Sequence, residues 1–443
     1  MKVSMKEMIT TRFAPSPTGE MHIGNLRTAY FNWLYARKNN GKFILRIEDT
    51  DKIRSNNDAI KNIFKILNKF KLNYDKVYKQ SNRIPLYQFY AYELLEKNFA
   101  YLCFCDKNNN NEICNCKNKK YKPTKKYCIR LNINSFNIQT VKCYDEIRKT
   151  FISFDKNKLN DIILIKSDGY PTYHFASVVD DHLMGITDIF RGDEWISSFP
   201  YHILLYNAFN WTPPRFYHLP LITNNNGEKL SKRDGDFSVK SLLKQGYLPS
   251  AILNYIVLLG WHPSSNEEIF DKNKTVKMFD VTRLKTNACK YDEKRLKKFN
   301  LIHARTEYGK YEFNEFIGQK FDILYKKRLY NLFVNGIDVY ELINKLKLKN
   351  KYQQFTPQQK QFAIFLKECI ENIDQYSYQI LSDENIKNII EKIKNSGYNN
   401  KDFHIWTRLF IIGETKGPPG DILLGLLSID KLVFKLNAVF MEI

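Results

Sequence analysis

Two stretches of this chain have the composition of an anion site. The first is residues 11–25, Thr-Arg-Phe-Ala-Pro-Ser-Pro-Thr-Gly-Glu-Met-His-Ile-Gly-Asn. Pro15 and Pro17 fix φ and remove two backbone donors, so regular structure stops there. Gly19 permits a tight turn. From Ile23 onward, Leu26, Tyr30, Phe31 and Leu34 fall on one helical stripe. His22 therefore stands at a helix N-terminus, where free N–H groups and the macrodipole favour an anion. Gly24 would let a phosphate approach the backbone. The plainer reading is a strand–turn–helix with a surface histidine. The second stretch is residues 223–236, with Lys229, Ser231, Lys232 and Arg233 on a charged loop. Such lysines can close over a polyphosphate and stabilise charge developing on it. The alternative is a solvated surface turn.

Other residues could hold a zwitterionic substrate. Arg12 and Arg191 each offer a fork for a carboxylate or phosphate, and Tyr173 a hydroxyl. These three acquire meaning only if the fold brings them together. The cluster Glu48-Asp49-Thr50-Asp51 could bind an ammonium or a Mg²⁺-bearing phosphate, or cap a helix. Of eight cysteines, Cys103, Cys105, Cys114 and Cys116 crowd together around a polar stretch that cannot form a core. Four thiolates in two close pairs suit tetrahedral zinc; free thiols at a loop are the other reading, and a redox role a third.

A parallel sheet would position the first of these groups. Residues 8–13 and 41–47 read as strands with a helix between them, a βαβ unit. Ligands of such sheets bind beyond the carboxyl ends of the strands, where the 11–25 loop and Glu48 lie. Residues 57–72, with Ile60, Ile63, Phe64 and Leu67 on one face, and 85–99 read as helices. Residues 100–160 interrupt the rhythm with cysteines, polar loops and short β runs such as 127–131. Regular signals resume at 161–166, before the Asp168-Gly169 turn.

The chain has 443 residues and a net charge of +22, from 69 Lys+Arg against 47 Asp+Glu. That excess favours a polyanionic partner such as nucleic acid, although a diffuse lysine surplus could also reflect codon bias. No apolar run reaches membrane-span length; the strongest, 251–261, is short and contains Asn254. No targeting segment is read at the N-terminus, so a cytoplasmic protein is expected.

His-Ile-Gly-Asn at the first βα turn and the later Lys-Leu-Ser-Lys-Arg match the two signatures of class I aminoacyl-tRNA synthetases. Phe-Ala-Pro-Ser-Pro-Thr-Gly, Leu-Arg-Ile-Glu-Asp-Thr-Asp, Tyr-Pro-Thr-Tyr, Val-Val-Asp-Asp-His-Leu-Met-Gly, Arg-Gly-Asp-Glu-Trp and Lys-Leu-Ser-Lys-Arg-Asp-Gly-Asp together closely resemble bacterial-type glutamyl-tRNA synthetase. The resemblance is dense over 9–262 and thin beyond. Asn25 departs from the histidine often found there, a position where the family tolerates small or polar residues.

The resemblance implies roles. Arg12, Ala14, Ser16, Glu48, Tyr173 and Arg191 occupy glutamate-binding positions, with Glu48 suited to the ammonium. Arg12 with Tyr173 is expected to read the side-chain carboxylate and Arg191 the α-carboxylate. Ser177 falls at a position that varies in the family. His22, Gly24, Asn25, Lys229, Ser231, Lys232 and Arg233 match the ATP site, with His22, Lys229 and Lys232 catalytic. Glutamate would be activated as its adenylate and passed to tRNA-Glu, with Mg²⁺ accompanying ATP; some members of the family bind a structural Zn²⁺ in the insertion, and the early Cys114 and Cys116 and the short loop depart from their pattern. The first step in this family requires bound tRNA.

The implied fold is α/β: a Rossmann-like parallel-sheet catalytic domain split by an acceptor-end insertion, then an all-helical anticodon-binding domain. The expected segments are 1–84 and 191–240 for the two catalytic halves, 85–190 for the insertion, 241–320 for stem contact and 321–443 for the helical end. The last segment shows a Thr356-Pro-Gln-Gln capping box and a helix after Ser382 that stops at Gly397. A helical end argues against the glutaminyl type, which has a β-rich end. A form that also charges tRNA-Gln, or a non-catalytic RNA binder on this scaffold, are the other readings. A monomer is expected.

Overall fold

The structure, a computed structural model, describes residues 8–51, 54–105, 116, 126–224, 226–230, 237–318, 323–347, 354–373 and 379–440. The chain forms two compact units. One comprises Met1–Ser241 and Ile252–Glu293, the other Leu242–Ala251 and Lys294–Ile443.

The first unit is built on a five-stranded, all-parallel sheet whose strands, in spatial order, are β10 (Arg215–Leu219), β9 (Asp188–Gly192), β1 (Thr10–Phe13), β2 (Lys42–Ile47) and β3 (Lys76–Lys79). β1 (Thr10–Phe13) leads through α1 (Ile23–Lys38) to β2 (Lys42–Ile47), and α2 (Asn57–Lys69) leads to β3 (Lys76–Lys79). Both helices start on side-chain caps: His22 accepts from Gly24 N, and Asn56 from Asp58 N. The return from α1 into β2 passes so close to β1 that a Cβ on Gly41 would lie 2.2 Å from the Ile9 carbonyl oxygen, so only glycine fits. α2 ends at Lys69, short of residue 72, because Lys71 turns left-handed at φ 53°.

α3 (Ile84–Glu96) then opens the inserted region. Asn98, at φ 62°, stops it short of residue 99. β4 (Ala100–Cys103), β5 (Cys128–Leu131) and β8 (Ile163–Ile165) make an antiparallel sheet in the order β4-β5-β8, and β6 (Thr140–Asp145) with β7 (Thr150–Asp155) makes a separate hairpin. The run at 161–166 therefore pairs within the insertion. After α4 (Tyr173–Leu183), β9 (Asp188–Gly192) re-enters the parallel sheet beside β1, so the sheet resumes at Asp188. α5 (Phe199–Phe209) and β10 (Arg215–Leu219) complete it. A buried cluster including Ile44, Leu94, Phe175, Val178, Ile189, Phe199 and Phe216 joins sheet, α3, α4 and α5 into one core.

β11 (Ile222–Thr223) pairs in parallel with β12 (Cys289–Lys290). Between them come α6 (Val239–Lys244), α7 (Pro249–Leu258) and α8 (Lys272–Met278). Asn254, buried on α7, donates to Glu268 O at 2.8 Å and accepts from Phe270 N at 3.1 Å, which satisfies its amide.

The second unit is helical among its described residues, apart from one bridge between Ile380 and Ser428. It contains α9 (Glu293–Ala304) from Lys294 onward, α10 (Glu307–Ile317), α11 (Ile323–Val334), α12 (Val339–Lys347), α13 (Pro357–Glu371), α14 (Asp383–Asn395), α15 (Asn400–Ile412), α16 (Gly420–Leu424) and α17 (Ile429–Asn437). The capping box at Thr356 is formed in full, with Gln359 reaching back to the Thr356 N–H. Ser382 caps α14, and Gly397 follows it at φ 84°. Phe313, Leu329, Phe362, Leu366, Phe403, Phe410 and Leu432 form its core.

Candidate active site

The carboxyl ends of β1, β2 and β9 carry Arg12, Arg46 and Arg191, all buried. Three buried guanidinium groups need compensation. Arg12 and Arg46 find it on α4. Arg12 Nε donates to Asp181 Oδ1 at 3.0 Å, and Arg46 Nη1 donates to the same oxygen at 2.6 Å. Arg46 Nη2 also donates to Glu48 Oε1 at 3.1 Å and to Ser177 Oγ at 3.1 Å. Burial works against the charged Arg46, but Asp181, Glu48 and Asp180 outweigh it and raise its pKa well above the ordinary value. Burial also opposes ionisation of Asp181, yet Arg12 and Arg46 hold its pKa below the usual range. For Glu48 burial wins: its carboxyl is pushed up to about 7 against the pull of Arg46 and Arg12. Asp180, one residue before Asp181, accepts from Gln80, Arg83 and Tyr87 and so ties α4 to the start of the insertion.

Arg191 is compensated differently. Its Nε donates to His218 Nε2 and its Nη1 to His202 Nδ1, each at 3.0 Å. Its guanidinium lies over the rings of Phe216 and Phe199, 4.9 and 5.3 Å from their centroids. Among the described residues no carboxylate forms an ion pair with it, and its buried Nη2 has no hydrogen-bond partner. Burial lowers its pKa. Tyr173, the first residue of α4, lies close enough to feel Glu48, Arg191, Arg12 and Asp181, supports the charge of Arg191, and has its ring tilted 33° to Trp195 with centroids 4.3 Å apart. One locale thus holds Arg12, Glu48, Tyr173 and Arg191, and one of its two forks is open.

The loop between β1 and α1 is pinned to the end of β2: Glu48 N donates to Pro15 O at 3.1 Å, and Asn56 N to Pro17 O at 3.1 Å. Ala14 is half-buried and Ser16 exposed on this loop. At its far end His22 Nδ1 accepts from Gly24 N at 3.2 Å. Nδ1 therefore carries no proton in this bond, which leaves the proton of a neutral ring on Nε2. Asn25 is exposed on the first turn of α1, beside half-buried Gly24.

The second charged loop starts from a small hairpin, in which Lys229 bridges Thr223 and Leu230 N donates to Ile222 O at 3.1 Å. Its downstream end returns to the first loop. Ile23 N donates to Phe237 O at 3.2 Å, and Val239 N to Met21 O at 2.9 Å. His22 and Ser238 form a bridge, and the Phe237 ring stands edge-on to His22 at 6.2 Å. The two signature loops are therefore stitched together at His22. Ser231, Lys232 and Arg233 lie outside the described residues; Lys229 is exposed at the hairpin's end.

The family model of class I tRNA synthetases (E and Q), catalytic domain, matches residues 8–120 and 106–298. A glutamate–tRNA ligase of Finegoldia magna is 35% identical over 97% of this chain and 98% of its own. The chain belongs to the class I tRNA synthetases of the E and Q type. A second relative in this family, the glutamate–tRNA ligase of Clostridium novyi, is 45% identical over 67% of this chain and 66% of its own. The crystal structure of a glutamate tRNA ligase from Elizabethkingia meningosepticum in complex with its amino acid superposes with a TM-score of 0.68, at 27% identity, covering 98% of this chain and 99% of that one. The Rossmann-like catalytic sheet and helical C-terminal region expected from the sequence are present.

Within this class I scaffold, sequence reasoning missed Arg46, Asp181, Asp180, His202 and His218, and gave Ser177 no role. One signal pointed to Arg46: a charge inside Phe-Ile-Leu-Arg-Ile, a buried strand, has to be paired. In the insertion, Cys103, Cys105 and Cys116 place their sulfurs within 4.8 Å of one another, with Cys105 and Cys116 at 3.6 Å. Cys114 lies outside the described residues. No described helix is long and apolar enough to cross a membrane.

Proposed function

We propose that this synthetase is a glutamate–tRNA ligase. It activates L-glutamate with ATP to glutamyl-adenylate and transfers glutamate to the 3′ end of tRNA-Glu, releasing pyrophosphate and AMP. The observation that carries this reading is the state of Arg191, a buried cation whose Nη2 is unpartnered and which has no carboxylate of its own among the described residues. A site built this way suits an anionic ligand. With Arg12 and Tyr173 for the side-chain carboxylate and Arg191 for the α-carboxylate, the two forks match the two acid groups of glutamate. Glutamine would leave one fork opposite a neutral amide. Glu48, once ionised, receives the substrate ammonium. Ala14 and Ser16 line the loop above the same strand end.

The chemistry needs positioning and charge neutralisation more than a protein nucleophile. The α-carboxylate attacks the α-phosphorus of ATP. His22, through Nε2–H and the α1 N-terminus, together with Gly24 and Asn25, would take the phosphate oxygens. Lys229, Lys232 and Arg233 would neutralise the leaving pyrophosphate, Ser231 would donate a hydrogen bond to it, and Mg²⁺ arrives with ATP. The terminal adenosine hydroxyl of tRNA then attacks the acyl carbon. We assign the insertion to the acceptor end, residues 241–320 to the stem and the helical end to the anticodon, in a cytoplasmic monomer. The separations among Cys103, Cys105 and Cys116 suit thiolate ligands of one structural Zn²⁺, with Cys114 as fourth ligand.

The test is aminoacylation. With ATP, Mg²⁺ and tRNA-Glu, the purified chain should attach labelled glutamate and not glutamine. The absence of charging on an authentic tRNA-Glu overturns the reading. The same assay on tRNA-Gln decides whether the enzyme is discriminating.

A further inference from the structure

The inserted hairpin reaches Arg191 through a line of hydrogen bonds. Asp145, the last residue of β6, is fully buried. Its Oδ1 accepts the backbone N–H groups of Ile147 at 3.0 Å and Arg148 at 2.7 Å, which fixes the carboxylate within its own turn. That turn is docked on β10, where Glu146 N donates to Phe216 O at 2.9 Å. Asp145 Oδ2 lies 2.6 Å from His218 Nδ1. His218 sits opposite Arg191 in the β10–β9 register.

The direction of every proton in this line follows from Arg191, because a guanidinium only donates. His218 Nε2 must accept from Arg191, so Nδ1 carries the proton and donates to Asp145. His202 Nδ1 must accept from Nη1, so its Nε2–H points to His174 Nδ1, 3.3 Å away. Both imidazoles are then neutral. Burial, the first cause in each case, supports this by pushing His218 down to about 4 and His202 well below the ordinary value.

We propose that Asp145, His218 and His202 are positioning residues for the amino-acid site, which aim Arg191 without neutralising it. This deepens the glutamate reading and rests on it. A carboxylate placed directly on Arg191, as Asp181 is on Arg12, would hold the guanidinium equally well. It would also take up part of the guanidinium that the substrate carboxylate must meet, as Asp181 takes Arg12 Nε and leaves the rest of that fork to work with Tyr173. Neutral imidazoles on two edges hold the plane and leave Nη2 charged and open, while the anion on this line, Asp145, itself also paired with Arg148 at 3.5 Å, sits one imidazole further back. The inserted hairpin is thus part of the amino-acid site although none of its residues touches the open Nη2.

Asp145→Asn tests this with little change in shape. The two backbone N–H groups of its turn keep the amide oxygen, so the new NH₂ faces His218. His218 then has to accept at Nδ1 and turns Nε2–H toward Arg191 Nε–H. His218→Leu removes both bonds. His218→Gln restores an acceptor for Arg191 and a donor for Asp145. In glutamate-dependent ATP–pyrophosphate exchange with tRNA present, Asp145→Asn and His218→Leu should raise the glutamate KM about tenfold or more and leave the ATP KM within about twofold. His218→Gln should return to within about threefold of the parent. Glutamate and ATP KM rising together, an unchanged glutamate KM in a folded variant, or His218→Gln as impaired as His218→Leu each overturns the proposal. Should His218→Leu not fold, Asp145→Asn against His218→Gln makes the same comparison. A parent chain that charges no glutamate refutes the functional reading instead, so the two failures are distinguishable.

Discussion

Arg12 Nε and Asp181 Oδ1 are 3.0 Å apart, both side chains almost wholly buried, and that oxygen also receives Arg46 at 2.6 Å. One carboxylate therefore serves two strands. Asp181→Ala would leave two interior cations short of an anion. It should destabilise the first unit by about 3–5 kcal/mol, read from denaturant unfolding, because breaking a buried pair strands the remaining charge. A loss below about 1 kcal/mol, the scale of an exposed pair, would show that Glu48 and Asp180 suffice.

Glu48 should make glutamate binding pH-dependent. Its folded pKa, about 7, lies above the ordinary 4.5. The empty fold therefore favours the neutral acid. That contribution is complete below the unfolded pKa and is lost as pH rises through about 7. The substrate ammonium needs the ionised form, so the glutamate KM should fall from pH 6 to pH 8, by at most about tenfold per pH unit. Glu48→Gln should bind weakly with no such trend. A flat profile in the parent enzyme contradicts the ammonium role.

His22→Ala should slow adenylate formation by roughly 10²–10³-fold in single turnovers, with tRNA affinity nearly unchanged. Lys229→Ala and Lys232→Ala should act in the same direction. Equal losses in tRNA binding and adenylation would assign these residues to RNA contact instead.

Elemental analysis of the purified protein should find about one zinc per chain. Cys105→Ser should lower that content. A stoichiometry near zero would leave Cys103, Cys105 and Cys116 as free thiols.

Thr356→Ala removes the hydroxyl that caps Gln359 N on α13 and keeps the reciprocal bond from its own backbone N–H to Gln359. The helical unit should lose about 1 kcal/mol, measured by its own unfolding transition, with adenylation untouched.

The βαβ opening was legible because its determinants are local: two prolines, a histidine cap and an apolar stripe at helical spacing. The capping box at Thr356 and the stop at Gly397 were legible for the same reason. Arg12, Glu48, Tyr173 and Arg191 could be named from motifs, and the fold places them in one locale. Their supports could not. Asp181, His202 and His218 act through partners far away in sequence, and no periodicity records which buried strand an aspartate will face. The hairpin that supplies Asp145 read only as a break in the α/β rhythm, since short antiparallel pairs carry no sign of what they dock against. The ends of α2 and α3 were overrun because Lys71 and Asn98 adopt left-handed conformations that no glycine announced.

The shared carboxylate also sets an order of events during synthesis. Arg12 and Arg46 leave the ribosome early, but Asp181 follows only after most of the insertion has been translated. At roughly 5–20 residues per second, that delay is on the order of 10 s. Until then Arg46 has only Glu48 to pair with, and Arg12 has no carboxylate partner among the described residues. The carboxylate that completes the charge balance of β1 and β2 is thus among the later parts of the first unit to be made.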